Sequence, residues 1–244
     1  METAIEIKDV VIRYRSFKKV SIKKAIQNLG KKTEYFEAVR GVSFSVEKGK
    51  IVGLVGKNGS GKSTLLRSIA NIYSPDSGSI NTFGHSVSLL ALGVGFTKEL
   101  TGRENIILSG MLLGFTEKEV HEKMKEIIQF ADIGEFIDRP VNTYSSGMHS
   151  KLSFAITCTL ETDIILIDEV LSVGDSKFRK KSRNKLLELI NNKDRTVVIV
   201  SHSAATLKEL CDEAVWLNDG KIVMTGDARM VIDAYEESMV GSGK

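Results

Sequence analysis

Residues 51–64 read IVGLVGKNGSGKST, a short apolar run that leads directly into a glycine-rich loop. The run 51–55 predicts a buried parallel strand, and residues 63–72 predict the helix that follows the loop. The loop fits the pattern G-x-x-x-x-G-K-[ST], which binds nucleotide phosphates when it lies between a strand and a helix. This stretch therefore predicts an α/β fold with a nucleotide site at the end of the strand.

The residue types in this loop indicate its chemistry. Glycines let backbone N–H groups turn inward around phosphate oxygens, and the next helix presents its N-terminus to the same negative charge. Lys62 can reach the β- and γ-phosphates, and the Ser63 hydroxyl can bind Mg²⁺. The predicted phosphate-binding residues are Gly56, Lys57, Asn58, Gly59, Ser60, Gly61, Lys62, Ser63 and Thr64.

Composition and charge are those of an ordinary globular protein. Of 244 residues, 42% are apolar and 27% charged, which excludes disordered, collagen-like and disulfide-scaffold classes. A net charge of +3 gives no indication of a nucleic-acid partner. Cys158 and Cys211 lack metal-site spacing, so we expect buried free thiols in a reducing compartment. We find no signal sequence and no run of about 18–20 apolar residues, so a cytoplasmic protein without its own membrane span is expected.

The rest of the chain predicts a sheet with helices inserted into it. Strands are expected at 5–14, 39–46, 164–167 and 196–200, and a hairpin at 215–223 turns at Asn218-Asp219-Gly220. Residues 97 to about 160 have helical periodicity and predict a helical lobe, and a last helix is expected at 228–235. We expect residues 1–244 to form one domain.

Two carboxylates follow the predicted strand 164–167. Asp168 and Glu169 therefore lie at the carboxyl end of a strand, where open α/β sheets place their ligands. We expect Asp168 to bind Mg²⁺ with Ser63. Glu169 is the candidate general base that activates the attacking water.

The segment Tyr144-Ser145-Ser146-Gly147-Met148 narrows the class of nucleotide-binding protein. It resembles the ABC signature, commonly Leu-Ser-Gly-Gly-Gln, and has the signature's place ahead of a helix and the Asp168 strand. The resemblance implies an ABC ATPase with an antiparallel β subdomain and an inserted helical lobe. It also implies that Ser145, Ser146 and Gly147 bind the γ-phosphate held by a second copy of the chain, so that two ATP molecules are enclosed in a dimer.

Other segments resemble further ABC motifs in the expected order. Ser172-Val173-Gly174-Asp175 resembles the D-loop, which implies that Asp175 lies at the dimer interface. His202 follows a strand and matches the switch histidine that senses the γ-phosphate. Tyr14 has the place of the aromatic residue that stacks on adenine, although Tyr35 or Phe36 could serve instead. Together with Lys62 and Glu169, His202 completes the candidate catalytic set.

Two departures from the common ABC pattern point to a subfamily. The loop expected to carry a glutamine, residues 89–97, has none, and the signature carries Ser146 and Met148. These features, with Leu100-Thr101-Gly102-Arg103-Glu104-Asn105, resemble the polysaccharide and teichoic-acid exporters. The resemblance implies export of a lipid-linked glycopolymer, with teichoic acid favoured and O-antigen or capsular polysaccharide as alternatives. It also implies a separate membrane-spanning permease and a place at the cytoplasmic face of the membrane. Because the chain ends soon after Tyr235, we expect no carbohydrate-binding domain in it.

Residues 15–37 form a basic insertion between the first two predicted strands. Ile22, Ile26 and Leu29 share one helical face, which predicts a basic amphipathic helix that could lie on an anionic membrane surface. In the resembling subfamily an insertion here forms a gate helix near the substrate's entry. The basic residues around it are Arg13, Arg15, Lys18, Lys19, Lys23, Lys24, Lys31 and Lys32, with no acid among them.

Two other functions remain open at this point. A soluble ABC ATPase that remodels nucleic acid or ribosomes would usually carry two cassettes or a long coiled-coil insertion, and this chain has neither. A regulatory nucleotide-binding module with little turnover is compatible with the altered signature. Glu169 and His202 favour an enzyme over such a module.

Overall fold

A computed structural model of the chain describes residues 2–15, 35–90, 95–168, 175–190, 192, 194–201 and 203–241. The strands are β1 Thr3–Arg15, β2 Tyr35–Glu47, β3 Ile51–Val55, β4 Ser77–Asn81, β5 Val87–Leu90, β6 Ile164–Asp168, β7 Thr196–Val200, β8 Glu213–Asn218 and β9 Lys221–Asp227. The α-helices are α1 Lys62–Ile69, α2 Gly102–Leu112, α3 Glu117–Ala131, α4 Ser146–Thr159, α5 Ser176–Ile190, α6 Ala204–Leu210 and α7 Ala228–Gly241. Short 3-10 helices lie at Gly134–Asp138 and Val141–Thr143.

A six-stranded sheet forms the centre of the molecule. Its strand order is β5-β6-β7-β3-β8-β9, and the first five strands are parallel while β9 returns antiparallel to β8. Every residue of β7 is buried, as is expected of a strand covered on both faces. The strand β3 is central, so the loop that follows it emerges in the middle of the sheet's carboxyl edge.

A separate antiparallel sheet contains β2, β1 and β4 in that order. Ile5, Ile7 and Val10 of β1 are fully buried and join the same apolar core as β3 and α1. The sheet pairs Tyr14 with Phe36 and Arg15 with Tyr35, so both ends of the basic insertion leave from neighbouring strands. Fold class is therefore confirmed: an α/β core with an antiparallel β subdomain and a helical lobe.

The helical lobe contains α2, α3 and α4. Its apolar cluster is built from one face of each helix and includes Ile106, Ile127 and Leu152, all with no exposed surface. Thr101 and Thr116 each begin a helix with a capping box, in which Glu104 and Glu119 complete the reciprocal hydrogen bonds. Residues 97 to about 160, which were expected to form a helical lobe, contain all three of these helices.

Several elements were not predicted from the sequence. The strand β4 reads SGSIN and has few apolar residues, so its only strong determinant is pairing with β1. Residues 89 and 90, which were read as loop, belong to β5 because they pair with β6. The helix α5 is rich in basic residues, and the polar Ser182 lies on its buried face between Phe178 and Leu186, so its apolar pattern is interrupted.

Some predicted features lie outside the described residues. They include Ile22, Ile26 and Leu29 of the basic insertion, and residues 91–94 of the loop that lacks a glutamine. In the part of the chain that the structure describes, no helix is both long enough and apolar enough to cross a membrane. The final helix extends to residue 241, beyond the expected end at 235.

Leu152→Ala tests the packing of the lobe. Removing a fully buried side chain from this cluster should lower the free energy of unfolding by about 2–5 kcal/mol, since a cavity remains. The matched change Met230→Ala, at a side chain that is 63% exposed, should alter it by about 0.5 kcal/mol or less. Urea titrations of both variants measure the difference, and equal losses would contradict this description of the lobe.

Candidate nucleotide-binding site

The loop between β3 and α1 is held in a conformation that requires glycine. Gly56 and Gly61 have φ angles of 148° and 102°, which L side chains rarely adopt. A Cβ on Gly56 would collide with the carbonyl oxygen of Leu217, and one on Gly61 would collide with that of Ala38. The backbone is therefore pressed between β8 and β2, and side chains are excluded from the places where it turns.

Lys62, the first residue of α1, folds back over this loop. Its Nζ donates hydrogen bonds to the carbonyl oxygens of Gly56 and Lys57, at 2.6 and 2.9 Å. Burial lowers the pKa of Lys62, and the nearby Asp168 carboxylate opposes that shift. The ammonium group is thus placed inside the loop with carbonyl partners that anionic phosphate oxygens could replace.

Ser63 and Asp168 come together from different elements. The Ser63 hydroxyl on α1 donates a 3.0 Å hydrogen bond to Oδ1 of Asp168 at the end of β6. A hydroxyl beside a carboxylate is the oxygen-donor set that Mg²⁺ prefers. These two residues were predicted as metal ligands from separate motifs. They are 105 residues apart in the sequence and in direct contact in the structure.

The pocket beside the loop has room for a nucleotide and contains an unsatisfied polar atom. Its volume is about 270 Å³. The hydroxyl of Ser60 is buried and has no hydrogen-bond partner among the described residues, as is expected of a group that a phosphate oxygen would satisfy. The lining residues are Tyr14, Phe36, Ala38, Asn58, Gly59, Ser60, Gly61, Lys62, Ser63, Thr64 and Val200.

The structure distinguishes the aromatic candidates for adenine stacking by whether they line this pocket. Tyr14 and Phe36 are partners across β1 and β2, and both line this pocket. The Tyr14 hydroxyl lies 3.2 Å from the Thr64 hydroxyl, which ties the ring to the phosphate loop. Tyr35 is 56% exposed and lines a different depression with Arg13 and Arg40.

The turn between β8 and β9 supports the phosphate loop, a role that the sequence did not suggest. Gly220 N–H donates to the carbonyl oxygen of Ser60 at 3.1 Å, and the Gly220 carbonyl accepts from Arg40 N–H at 2.8 Å. With φ at 77° and Ala38 O only 2.8 Å from a possible Cβ, position 220 favours glycine. The N-D-G pattern predicted the hairpin but not its contact with the loop.

The signature residues do not reach this pocket within one chain. Ser145 caps α4, accepting a 3.2 Å hydrogen bond from Met148 N–H, and Ser145 and Ser146 are exposed. The nearest described atom to a Cβ built on Gly147 is Ser145 Oγ, at 3.9 Å. The start of α4 is therefore an accessible helix N-terminus, which favours an anion supplied from outside the chain.

Three predicted residues complete the set. Asp175 directly precedes α5 and forms a 2.7 Å ion pair with Lys151 of α4. That ammonium and the Phe178 N–H lower the pKa of Asp175 to about 2. Glu169 and His202 lie outside the described residues, so their positions beside the pocket stay predictions.

Comparison with known proteins agrees with this geometry. A profile of the ABC transporter family matches residues 39–172. An ATP-binding subunit of an ABC transporter has the same fold at 22% identity, with a TM-score of 0.71 over 96% of this chain and 94% of that one. A dimeric ATP-binding cassette bound to ADP and Pi superposes with a TM-score of 0.68, also at 22% identity, over 92% of this chain and 99% of that one.

Curated relatives are more similar in sequence. The O-antigen export system ATP-binding protein RfbB of Klebsiella pneumoniae is 43% identical over 89% of this chain and 87% of its own length. The corresponding protein of Myxococcus xanthus is 45% identical over 83% of this chain and 46% of its own length. The teichoic acids export ATP-binding protein TagH of Bacillus anthracis is 42% identical over 97% of this chain and 43% of its own length.

The chain therefore belongs to the ABC transporter family. It is an ABC ATPase of the subfamily that contains these polysaccharide and teichoic-acid export proteins. The resemblance expected from the motifs is confirmed. The matched region spans less than half the length of two of the three relatives described, at 46% and 43%.

Tyr14→Ala tests the adenine contact. Loss of a stacked ring should weaken ATP binding by about 1–3 kcal/mol, the usual effect of removing a base–aromatic stack. Tyr35→Ala removes a neighbouring exposed ring from outside the pocket and should leave the affinity unchanged. Titration with a fluorescent ATP analogue measures both. A loss caused by Tyr35→Ala but not by Tyr14→Ala would reverse the assignment.

Proposed function

We propose that this chain hydrolyses ATP with Mg²⁺ and couples hydrolysis to export of a lipid-linked glycopolymer through a separate membrane-spanning subunit. The observation that supports hydrolysis best is the contact of Ser63 with Asp168, next to the inward-facing Lys62. Lys62 would hold the β- and γ-phosphates, and Ser63 and Asp168 would hold the metal. Mg²⁺ bound there would neutralise phosphate charge as the γ-phosphate is transferred to water.

The proposed general base is Glu169, which directly follows Asp168 in the sequence. A carboxylate next to the metal ligand can orient the attacking water and accept its proton. His202 follows the strand β7 in the sequence, and we propose that it senses the γ-phosphate. Both assignments rest on sequence position, since both residues lie outside the described ranges.

We propose that the working unit is a dimer of two such chains. Ser145, Ser146 and Gly147 do not line the pocket of their own chain, yet they form an accessible helix N-terminus. In a head-to-tail dimer they would bind the γ-phosphate held by Lys62 of the other copy. Asp175 would lie at the same interface. A dimeric cassette of the same fold supports this arrangement.

For the cargo we propose teichoic acid or a related lipid-linked polysaccharide. Relatives at similar identity are named for O-antigen export and for teichoic-acid export. The sequence comparison therefore supports both polymers equally. Teichoic acid is the preferred member, because the loop and signature features of the sequence resemble that exporter most. Nucleic acid is not proposed as a partner.

The proposed docking place for the membrane subunit is an apolar groove between the lobe and the core. Ile72 and Leu112 line it and are 43% and 61% exposed, and Met111 beside them is 53% exposed. Exposed apolar side chains in one patch are typical of a protein-binding surface. A partner held there would contact both lobe and core. We also propose that the basic residues 15–32 contact the anionic membrane surface at the cytoplasmic face.

Glu169→Gln tests turnover against a passive nucleotide-binding role. Removing the base should lower ATP hydrolysis by about 10²–10⁴-fold, while ATP binding persists and an ATP-bound dimer accumulates. Sedimentation velocity with ATP and a phosphate-release assay measure the two effects. The control Glu126→Gln changes an exposed carboxylate paired with Lys123 and should alter neither. Unchanged hydrolysis in Glu169→Gln would remove the role assigned to Glu169.

Reconstitution in liposomes tests the exporter. ATPase activity should rise on adding lipid-linked teichoic-acid precursor, and only when the membrane subunit is present. Leu112→Glu should abolish this rise and leave the partner-free rate unchanged, because charge enters the apolar groove. A response to an O-antigen precursor instead would change the cargo, and a rate indifferent to the membrane subunit would contradict the transporter.

A further inference from the structure

Lys151 lies at a junction of the signature helix and the D-loop. It is on α4, and its Nζ is 2.7 Å from Oδ2 of Asp175 at the start of α5. Its side chain is only 17% exposed, and its ammonium lies 5.4 Å from the centre of the Phe178 ring. The cation is therefore held by a carboxylate and an aromatic ring of the neighbouring helix.

The other carboxylate oxygen of Asp175 makes a different contact. Oδ1 accepts a 2.9 Å hydrogen bond from Phe178 N–H and so caps α5. One carboxylate thus serves two helices, with one oxygen directed to each. The position of Asp175 is fixed relative to α4 as well as to its own helix.

This pair differs from an ordinary surface ion pair. Lys185 and Glu188 are almost as close, at 3.0 Å, and Lys185 is similarly shielded at 19% exposure. Those two residues are three positions apart on one helix, so their contact orders nothing beyond that helix. Lys151 and Asp175 are on different helices, and their contact fixes one segment against the other.

The two segments that the pair connects are the ones proposed to face the second copy. Lys151 follows Ser145 by six residues on the same helix, about 9 Å along its axis. Asp175 is the described end of the D-loop segment. A lysine that binds Asp175 from the signature helix therefore sets the distance between the signature and the D-loop.

We propose that Lys151 is a positioning residue that holds the signature segment 145–147 and Asp175 together as one surface for the second copy. This inference rests on the proposed ATP-enclosing dimer. Lys151 does not line the nucleotide pocket, so it acts on pairing of the chains and leaves ATP binding within one chain unaffected. Without its charge, each segment is presented separately and ATP-driven pairing weakens.

The test uses Lys151→Met in a Glu169→Gln background, in which hydrolysis does not consume the ATP. Met keeps much of the apolar stem and removes the charge. ATP affinity of the monomer and the melting temperature should stay near the parent values. The dimer dissociation constant with ATP should rise about 5- to 150-fold, the usual range of coupling between sites. Lys151→Arg should restore pairing, and Lys185→Met, the matched control, should leave it unchanged.

Asp175→Asn provides an independent variant, because Asn can still cap α5 but carries no charge for Lys151. It should weaken pairing to a similar extent, and the double change should add little to either single one. Pairing as strong in Lys151→Met as in its parent would overturn the inference. Equal losses of pairing, monomer affinity and melting temperature would overturn it too, by showing general destabilisation. If Glu169→Gln alone formed no ATP dimer, the proposed dimer itself would fail.

Discussion

The nucleotide site depends on one steric constraint, the confinement of the phosphate loop between two backbone carbonyls. Leu217 O and Ala38 O occupy the space in which side chains of residues 56 and 61 would lie. The loop must therefore turn through left-handed glycine conformations, which point its N–H groups inward. Because β8 and β2 supply these carbonyls, the antiparallel subdomain and the central sheet must both be in place for the loop to form.

The same constraint explains why the site is divided between elements. The loop positions Lys62 and Ser63, and β6 delivers Asp168 to the Ser63 hydroxyl from the next-but-one strand of the sheet. The adenine candidates come from the other sheet, where Tyr14 and Phe36 face each other. The signature residues 145–147 do not line the pocket, since they belong to the lobe. In the proposed dimer, a second chain on the open side of the pocket would complete the site.

The sequence predicted the parts of this arrangement that are local. A strand, a loop and a helix in a fixed pattern specify the phosphate site, since each residue's role follows from its neighbours in the chain. The strand β4 and the Gly220 support were missed because both depend on partners far away in sequence, β1 for the one and Ser60 for the other. Lys151 was missed for the same reason, as a lysine on a helix reads as solvated until Asp175 is placed beside it.

The altered signature is compatible with this geometry. Residue 146 is within the first turn of α4, and Gly147 has no left-handed φ, so neither position needs glycine for its backbone conformation. Serine in fact favours a helix over glycine, by roughly 0.5 kcal/mol. Met148 packs against the apolar cluster of the lobe and still donates its N–H to Ser145. The substitutions therefore preserve the exposed helix N-terminus. At position 148 they replace a polar side chain with an apolar one that packs against the lobe.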